Sequence, residues 1–136
     1  MNPKILIIDG QGGRIGSQLV TAVKSAYPST FVTAVGTNTI ATSAMIRAKA
    51  DACATGENAV IVGCRTADVI IGPVGIAIAD SLYGEVTPSM ALAVGQSRAV
   101  RILIPFNHCD NRIVGVADFS ISKLIDQVVE ELKTLI

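Results

Sequence analysis

Apolar residues in this chain come in short blocks whose spacing alternates between two periods. Residues 4–8 hold four large aliphatic side chains in a row, Ile5 to Ile8, the mark of a strand buried on both faces of a parallel sheet. Ile15, Leu19, Val20, Val23 and Ala26 then recur at helical spacing, which predicts a helix over 14–26 ended by Tyr27-Pro28. Phe31–Val35 reads as a second strand and Gly36-Thr37-Asn38-Thr39 as a loop. A helix over 39–49 follows, capped by Thr37, Asn38 or Thr39. Asp51–Thr55 is a short third strand and Thr55-Gly56-Glu57-Asn58 a turn. Residues 57–65 read as a helix, although Val60-Ile61-Val62 fits a strand equally well. Asp68–Ile71 is a strand stopped by Gly72-Pro73-Val74-Gly75, and 75–83 predicts a helix closed by Gly84. Thr87-Pro88 opens another helix, to about Ser97, with a capping residue ahead of a first-turn proline. Val100–Ile104 is a buried strand and Arg112–Val116 a shorter last one. A terminal helix from near Ser120 buries Ile121, Leu124, Val128, Leu132 and Leu135.

Strands alternating with helices predict an α/β fold: three-layer and Rossmann-like, with a mostly parallel sheet of five to six strands, helices on both faces, and one domain over 1–136. Composition adds an expectation about assembly. Half of the residues are hydrophobic and only 16% are charged, too few charges to cover a small surface well. Self-association as a homodimer or higher homo-oligomer follows, unless an Ala- and Gly-rich core inflates the apolar count. A formal net charge of zero, five aromatic residues and no basic run argue against a nucleic-acid surface. The longest membrane-like stretch, Val69 to Ala79, is short and interrupted by glycine and proline, so no membrane partner is expected. The amino terminus enters a strand without a signal-peptide layout, which points to the cytoplasm. Cys53, Cys64 and Cys109 lack metal-site or disulfide spacing, and no metal is expected; the first two read as small core residues.

The chemistry is concentrated where strands end. Asp9 is followed by Gly10, Gln11, Gly12, Gly13, Arg14, Ile15 and Gly16, a glycine-rich passage from strand to helix. Glycine lets a ligand approach the backbone, and the helix start offers N–H groups to a phosphate. Gly36, Thr37 and Asn38 follow the second strand, Thr55 and Gly56 the third, and Gly72, Pro73 and Gly75 the fourth. In a parallel sheet these loops share one edge, where ligands bind. The bland reading is that such loops use glycine for turns in any case.

The dinucleotide fingerprint fits with its third glycine one place late, Gly10-x-Gly12-x-x-x-Gly16. An acidic residue is expected at the end of the second strand, and Gly36-Thr37-Asn38 stands there instead. That removes the main preference for NAD, while Arg14 could pair with an added phosphate, so NADP is favoured over NAD. Arg14 fits a solvated helix-start cation equally well. No G-K-[ST] occurs, which argues against a P-loop NTPase. For chemistry, His108 and Asp9 are the weak candidates. His108-Cys109-Asp110 invites a nucleophile reading, but sequence neighbours seldom converge that way. Glu57 fits a helix start, and Asp80 and Glu85 a helix and its following turn; no pair has a spacing that demands acid–base work.

Further strings support a resemblance. Ile8-Asp9-Gly10-Gln11-Gly12-Gly13 with Ile15-Gly16, Gly36-Thr37-Asn38, Ala41 to Met45, Ala54 to Ala59, Ile71-Gly72-Pro73, Gly84-Glu85, Thr87-Pro88 and Ile102 to Pro105 run over nearly the whole chain. In these the chain resembles a family of small bacterial proteins known only as a domain of unknown function. The resemblance implies a Rossmann-like nucleotide-binding fold and carries no activity or catalytic residue.

The sequence thus favours a protein that holds a phosphate-bearing small molecule, a nucleotide or dinucleotide, at the glycine-rich turn. One alternative is a non-enzymatic sensor or assembly subunit that binds a phosphorylated small molecule or no ligand. Another is an enzyme whose site is completed across a subunit interface, with His108 or Asp9 in the chemistry.

Overall fold

The structure, a computed structural model, describes residues 2–105, 111–117 and 120–136. Five parallel strands, β1 (Ile5–Asp9), β2 (Val32–Gly36), β3 (Ala52–Thr55), β4 (Val69–Pro73) and β5 (Val100–Ile104), form one sheet in the order β3-β2-β1-β4-β5. The helices are α1 (Arg14–Ala26), α2 (Thr39–Arg47), α3 (Glu57–Thr66), α4 (Pro88–Gln96) and α5 (Ile121–Lys133). This is the α/β, Rossmann-like fold expected.

The period-two pattern of the central strands explains the layers. Ile5 and Ile7 face one way with Val69 and Ile71, and join Leu19, Val23, Met45, Leu124 and Val128 from α1, α2 and α5. Leu6, Ile8 and Ile70 face the other way and pack against Val60, Cys64, Met90 and Val94 of α3 and α4. All five residues of β1 and of β4 are buried, which is why those segments read as unbroken apolar runs. At the edges, β3 and β5 carry exposed positions. Beside α3 an open apolar groove of about 460 Å³ exposes Phe31 and Val62 at the β1–β3 side of the sheet.

Two expected elements are absent from the fold. Residues 75–83 are not an α-helix. A short 3-10 turn, Val74–Ala77, leads into consecutive turns, with left-handed backbone at Asp80, Leu82, Tyr83 and Gly84. Ser81 explains part of the break: its hydroxyl donates to the carbonyls of Gly75 and Ile78, which a continuing helix would use itself. Arg112–Val116 is not a strand either. Val114-Gly115 is a turn, Gly115 is left-handed, and the Val114 side chain is 94% exposed. Smaller differences concern ends and caps. Val60-Ile61-Val62 belongs to α3, α2 stops at Arg47, and Lys49 is left-handed at φ 76°. Among the described residues no helix is long and apolar enough to cross a membrane.

Candidate functional site

The strand order reverses direction between β1 and β4, so the crevice beyond their carboxyl ends is the geometric place for a ligand. Two segments meet there: the turn Gly10–Gly13 between β1 and α1, and the connector 74–87 between β4 and α4.

Asp9 organises the turn from within. It is 5% exposed, its Oδ1 accepts from the Gly10 N–H at 2.8 Å, and its Oδ2 accepts from the Gly16 N–H at 2.7 Å. Burial pushes its pKa up to about 6 against the pull of those two amides, with the Glu85 charge adding a smaller upward push. Asp9, one of the two weak candidates for chemistry, thus braces the end of β1 against the first turn of α1.

The glycines divide into a packed set and an open one. At Gly13, φ is 71° and an added Cβ would lie 2.7 Å from the Ala41 Cα, so this glycine lets α1 and α2 approach. At Gly16 the same atom would lie 2.7 Å from the Asp9 Cβ and the Met45 Sδ. At Gly10 it would meet Thr37 Oγ1 at 2.6 Å, Leu82 Cδ1 at 2.9 Å and Glu85 Oε1 at 3.0 Å. Gly12 alone in the turn is exposed, with nothing within 4 Å of an added Cβ. The N–H groups of Gly12, Arg14 and Ile15 have no hydrogen-bond acceptor among the described residues, whereas Gly13 N–H donates to Gly10 O and Gly16 N–H to Asp9. Arg14 is exposed and ion-paired with nothing among the described residues. Ile15 is a core residue.

Thr37 and Asn38 reach the turn as expected, through a partner that sequence reasoning did not place there. Oε1 of Glu85, at the end of the connector, accepts from Gln11 N–H (2.8 Å), Thr37 Oγ1 (2.7 Å) and Asn38 Nδ2 (2.7 Å). Asn38 also donates to Gln11 O, and its own Oδ1 caps α2 by accepting from Ala41 N–H. The Gln11 peptide is thus clamped on both sides, which holds a non-glycine residue at φ 49°. Burial alone would raise the Glu85 pKa, but these three donors outweigh it and hold the carboxyl below its ordinary range. The sequence offered Glu85 as one of several carboxylate candidates, on the turn after a helix, and in the string Gly84-Glu85 that carried the resemblance; its contacts lie far off in sequence.

This position bears on the expected cofactor preference. The preference for NADP over NAD rested on a missing carboxylate at the end of β2, and Glu85 supplies that carboxylate from another connection. The preference thereby loses its premise.

Other expected site residues are packed or lie on other loops. Gly72, Pro73 and Gly75, at the end of β4 and the start of the connector, are buried. A Cβ on Gly72 would sit 2.4 Å from Ile8 O, so this glycine serves the pairing of β1 with β4. Gly36 is likewise packed, against Thr42 of α2, and Asp9 O accepts from Thr37 N–H. Thr55 is exposed with its hydroxyl 2.6 Å from Thr42 Oγ1, and Gly56 has open space around it. Glu57 accepts from the Thr87 hydroxyl at 2.6 Å and so links α3 to α4. Burial pushes the Cys64 thiol up to about 11 and raises that of Cys53, in keeping with core roles. His108 and Cys109 lie outside the described residues. Among the described residues no cluster of His, Cys, Asp or Glu could hold a metal ion.

Sheet order and helix layers place the protein in the Rossmann-like class of α/β folds. The chain belongs to the family described as "Domain of unknown function (DUF3842)", matched over residues 4–136. No curated protein matches the sequence. Among solved structures it is similar to a dodecameric FMN-dependent UbiX-like decarboxylase from Escherichia coli O157:H7, at 16% identity over 96% of this chain and 94% of that one, with a TM-score of 0.46.

Proposed function

We propose that this protein binds a small phosphate-bearing ligand of the nucleotide type, with the phosphate on the β1–α1 turn. The observation that carries the reading is the open half of that turn. The N–H groups of Gly12, Arg14 and Ile15 have no partner among the described residues, at the start of a helix of 13 residues and beside a glycine with free space. Unpaired amides and the helix dipole together favour an anion there, and exposed Arg14 adds a full positive charge. Its place at the reversal of strand order supports the same reading. Both oxygens of Asp9 are committed to backbone amides, so the site is a binding site first; a ligand sensor fits it as well as an enzyme does.

Gly12→Val tests the reading. A Cβ at Gly12 meets no protein atom within 4 Å, so stability should change by less than about 0.5 kcal/mol while side-chain bulk fills the ligand's space. In ¹H–¹⁵N spectra, adenosine 5′-monophosphate should move the Gly12, Arg14 and Ile15 amides of the wild type and leave the variant unchanged. Still amides at millimolar nucleotide and millimolar inorganic phosphate would refute the proposal.

A further inference from the structure

We propose that Glu85 is the specificity-determining residue of this site: its second carboxylate oxygen accepts hydrogen bonds from a vicinal hydroxyl pair, as on an unmodified ribose, and turns away a ligand carrying a phosphate at that position. The inference rests on the phosphate-turn reading and deepens it.

Three observations carry it. First, Glu85 Oε1 is saturated, with donors from the turn and from the β2–α2 loop within 2.8 Å, which fixes the group in one orientation. Oε2 has no donor among the described residues, and the side chain is partly exposed. An ionised carboxylate oxygen only accepts, and it can take two donors; a vicinal diol offers two, whereas a phosphate ester dianion offers none. Second, no ion pair neutralises the carboxylate: Glu85 has no cationic partner among the described residues, and the neighbouring Asp9 carboxyl accepts from the Gly10 N–H. Third, the arrangement is built for close fit. Gly10 lies against it, and a Cβ there would come within 3.0 Å of Thr37 Oγ1, Leu82 Cδ1 and Glu85 Oε1.

The connector's shape serves the same end. Left-handed backbone at Asp80, Leu82, Tyr83 and Gly84 turns the chain back on itself. Leu82 is thereby buried over Gly10, and Glu85 comes level with the end of β2. The fold delivers a carboxylate to the place where the β2 end itself offers only neutral donors.

Calorimetric titration of the full chain with adenosine 5′-monophosphate, 2′-deoxyadenosine 5′-monophosphate and adenosine 2′,5′-bisphosphate tests this. The wild type should bind the first roughly tenfold more tightly than either of the others, the scale of a hydrogen bond to a charged group. Glu85→Gln should bring the three within about twofold of one another. In the wild type, the Glu85 carboxyl ¹³C resonance should move with the ribonucleotide and stay still with the deoxy analogue, a readout independent of how well the variant folds. Equal wild-type affinity for all three, a stationary Glu85 resonance, or an unchanged preference in Glu85→Gln would each overturn the inference and leave the phosphate turn standing. Absence of binding by all three would overturn both.

Discussion

The β1–α1 turn and the β4–α4 connector meet at one corner of the sheet, yet they reach their shapes by different routes. The turn is short, and local chemistry dictates most of it: Gly13 sits at φ 71°, and Asp9 braces two amides within seven positions of itself. The connector is long and apolar, and four left-handed residues break it. Its anchor is distant, a carboxylate held by residues 74, 48 and 47 positions away. The turn is a self-contained frame, and the connector takes its form from docking on that frame. Damage to the turn should therefore spread to the connector, while damage to the connector should leave the turn standing.

The largest expected effect comes from Gly13→Ala. The new Cβ would meet the Ala41 backbone at 2.7 Å from a left-handed residue, so a loss of about 3 kcal/mol or more is expected in urea unfolding. A stability within about 1 kcal/mol of wild type would mean that α1 and α2 shift freely and that the turn is no rigid frame.

Asp9 gives an effect of similar size, tuned by pH. Its pKa is raised from 3.8 to about 6 on folding, so the buried neutral form is favoured and its stabilisation is complete below about pH 4. That stabilisation is lost as pH rises through 6, by about 3 kcal/mol at pH 7. Stability relative to Asp9→Asn should accordingly shift by that amount in favour of the variant between pH 4 and 7. A difference that stays flat with pH would refute the assignment. The amides of Gly10 and Gly16 should titrate with a shared midpoint near 6.

Glu85→Ala should cost about 1–2 kcal/mol, less than three charged hydrogen bonds in a buried setting, because the side chain is partly exposed. Amide exchange should quicken through 78–86 and stay slow at Gly13 and Gly16. Equal loss of protection in both segments would break the asymmetry. The smallest effect belongs to Gln11→Gly, expected to be neutral or stabilising by up to about 1 kcal/mol because it relieves a left-handed residue. Marked destabilisation would show that the Gln11 side chain is needed for more than the clamp on its peptide.

The same asymmetry explains what could be read before the fold was known. β1, the turn and α1 announce themselves because each signal lies within a few residues: an apolar run, a glycine cluster, a helical stripe. Thr87-Pro88 likewise starts α4, with Thr87 Oγ1 accepting from Met90 N–H. Residues 75–83 misled because Ile76, Leu82 and their neighbours have helix-compatible composition, while the hydroxyl of Ser81 and the docking of Glu85 act through tertiary contacts that no spacing rule detects. Gly72 drew attention as a loop glycine although its smallness serves the pairing of β1 with β4. Gly12, the exposed glycine of the turn, looked no different from its neighbours. At Arg112–Val116 the apolar residues fit a strand by composition, and the left-handed Gly115 interrupts it.

The chain has no tryptophan and two tyrosines, and the fold separates them completely in environment. Tyr27 closes the end of α1 and donates its hydroxyl to Val129 O on α5, so its emission reports the integrity of the helical layer. Tyr83 is 96% exposed at the tip of the connector, one residue from the buried Leu82. Undisturbed by indole, the pair forms a built-in optical gauge in which one phenol registers global melting and the other registers the connector lifting from the turn.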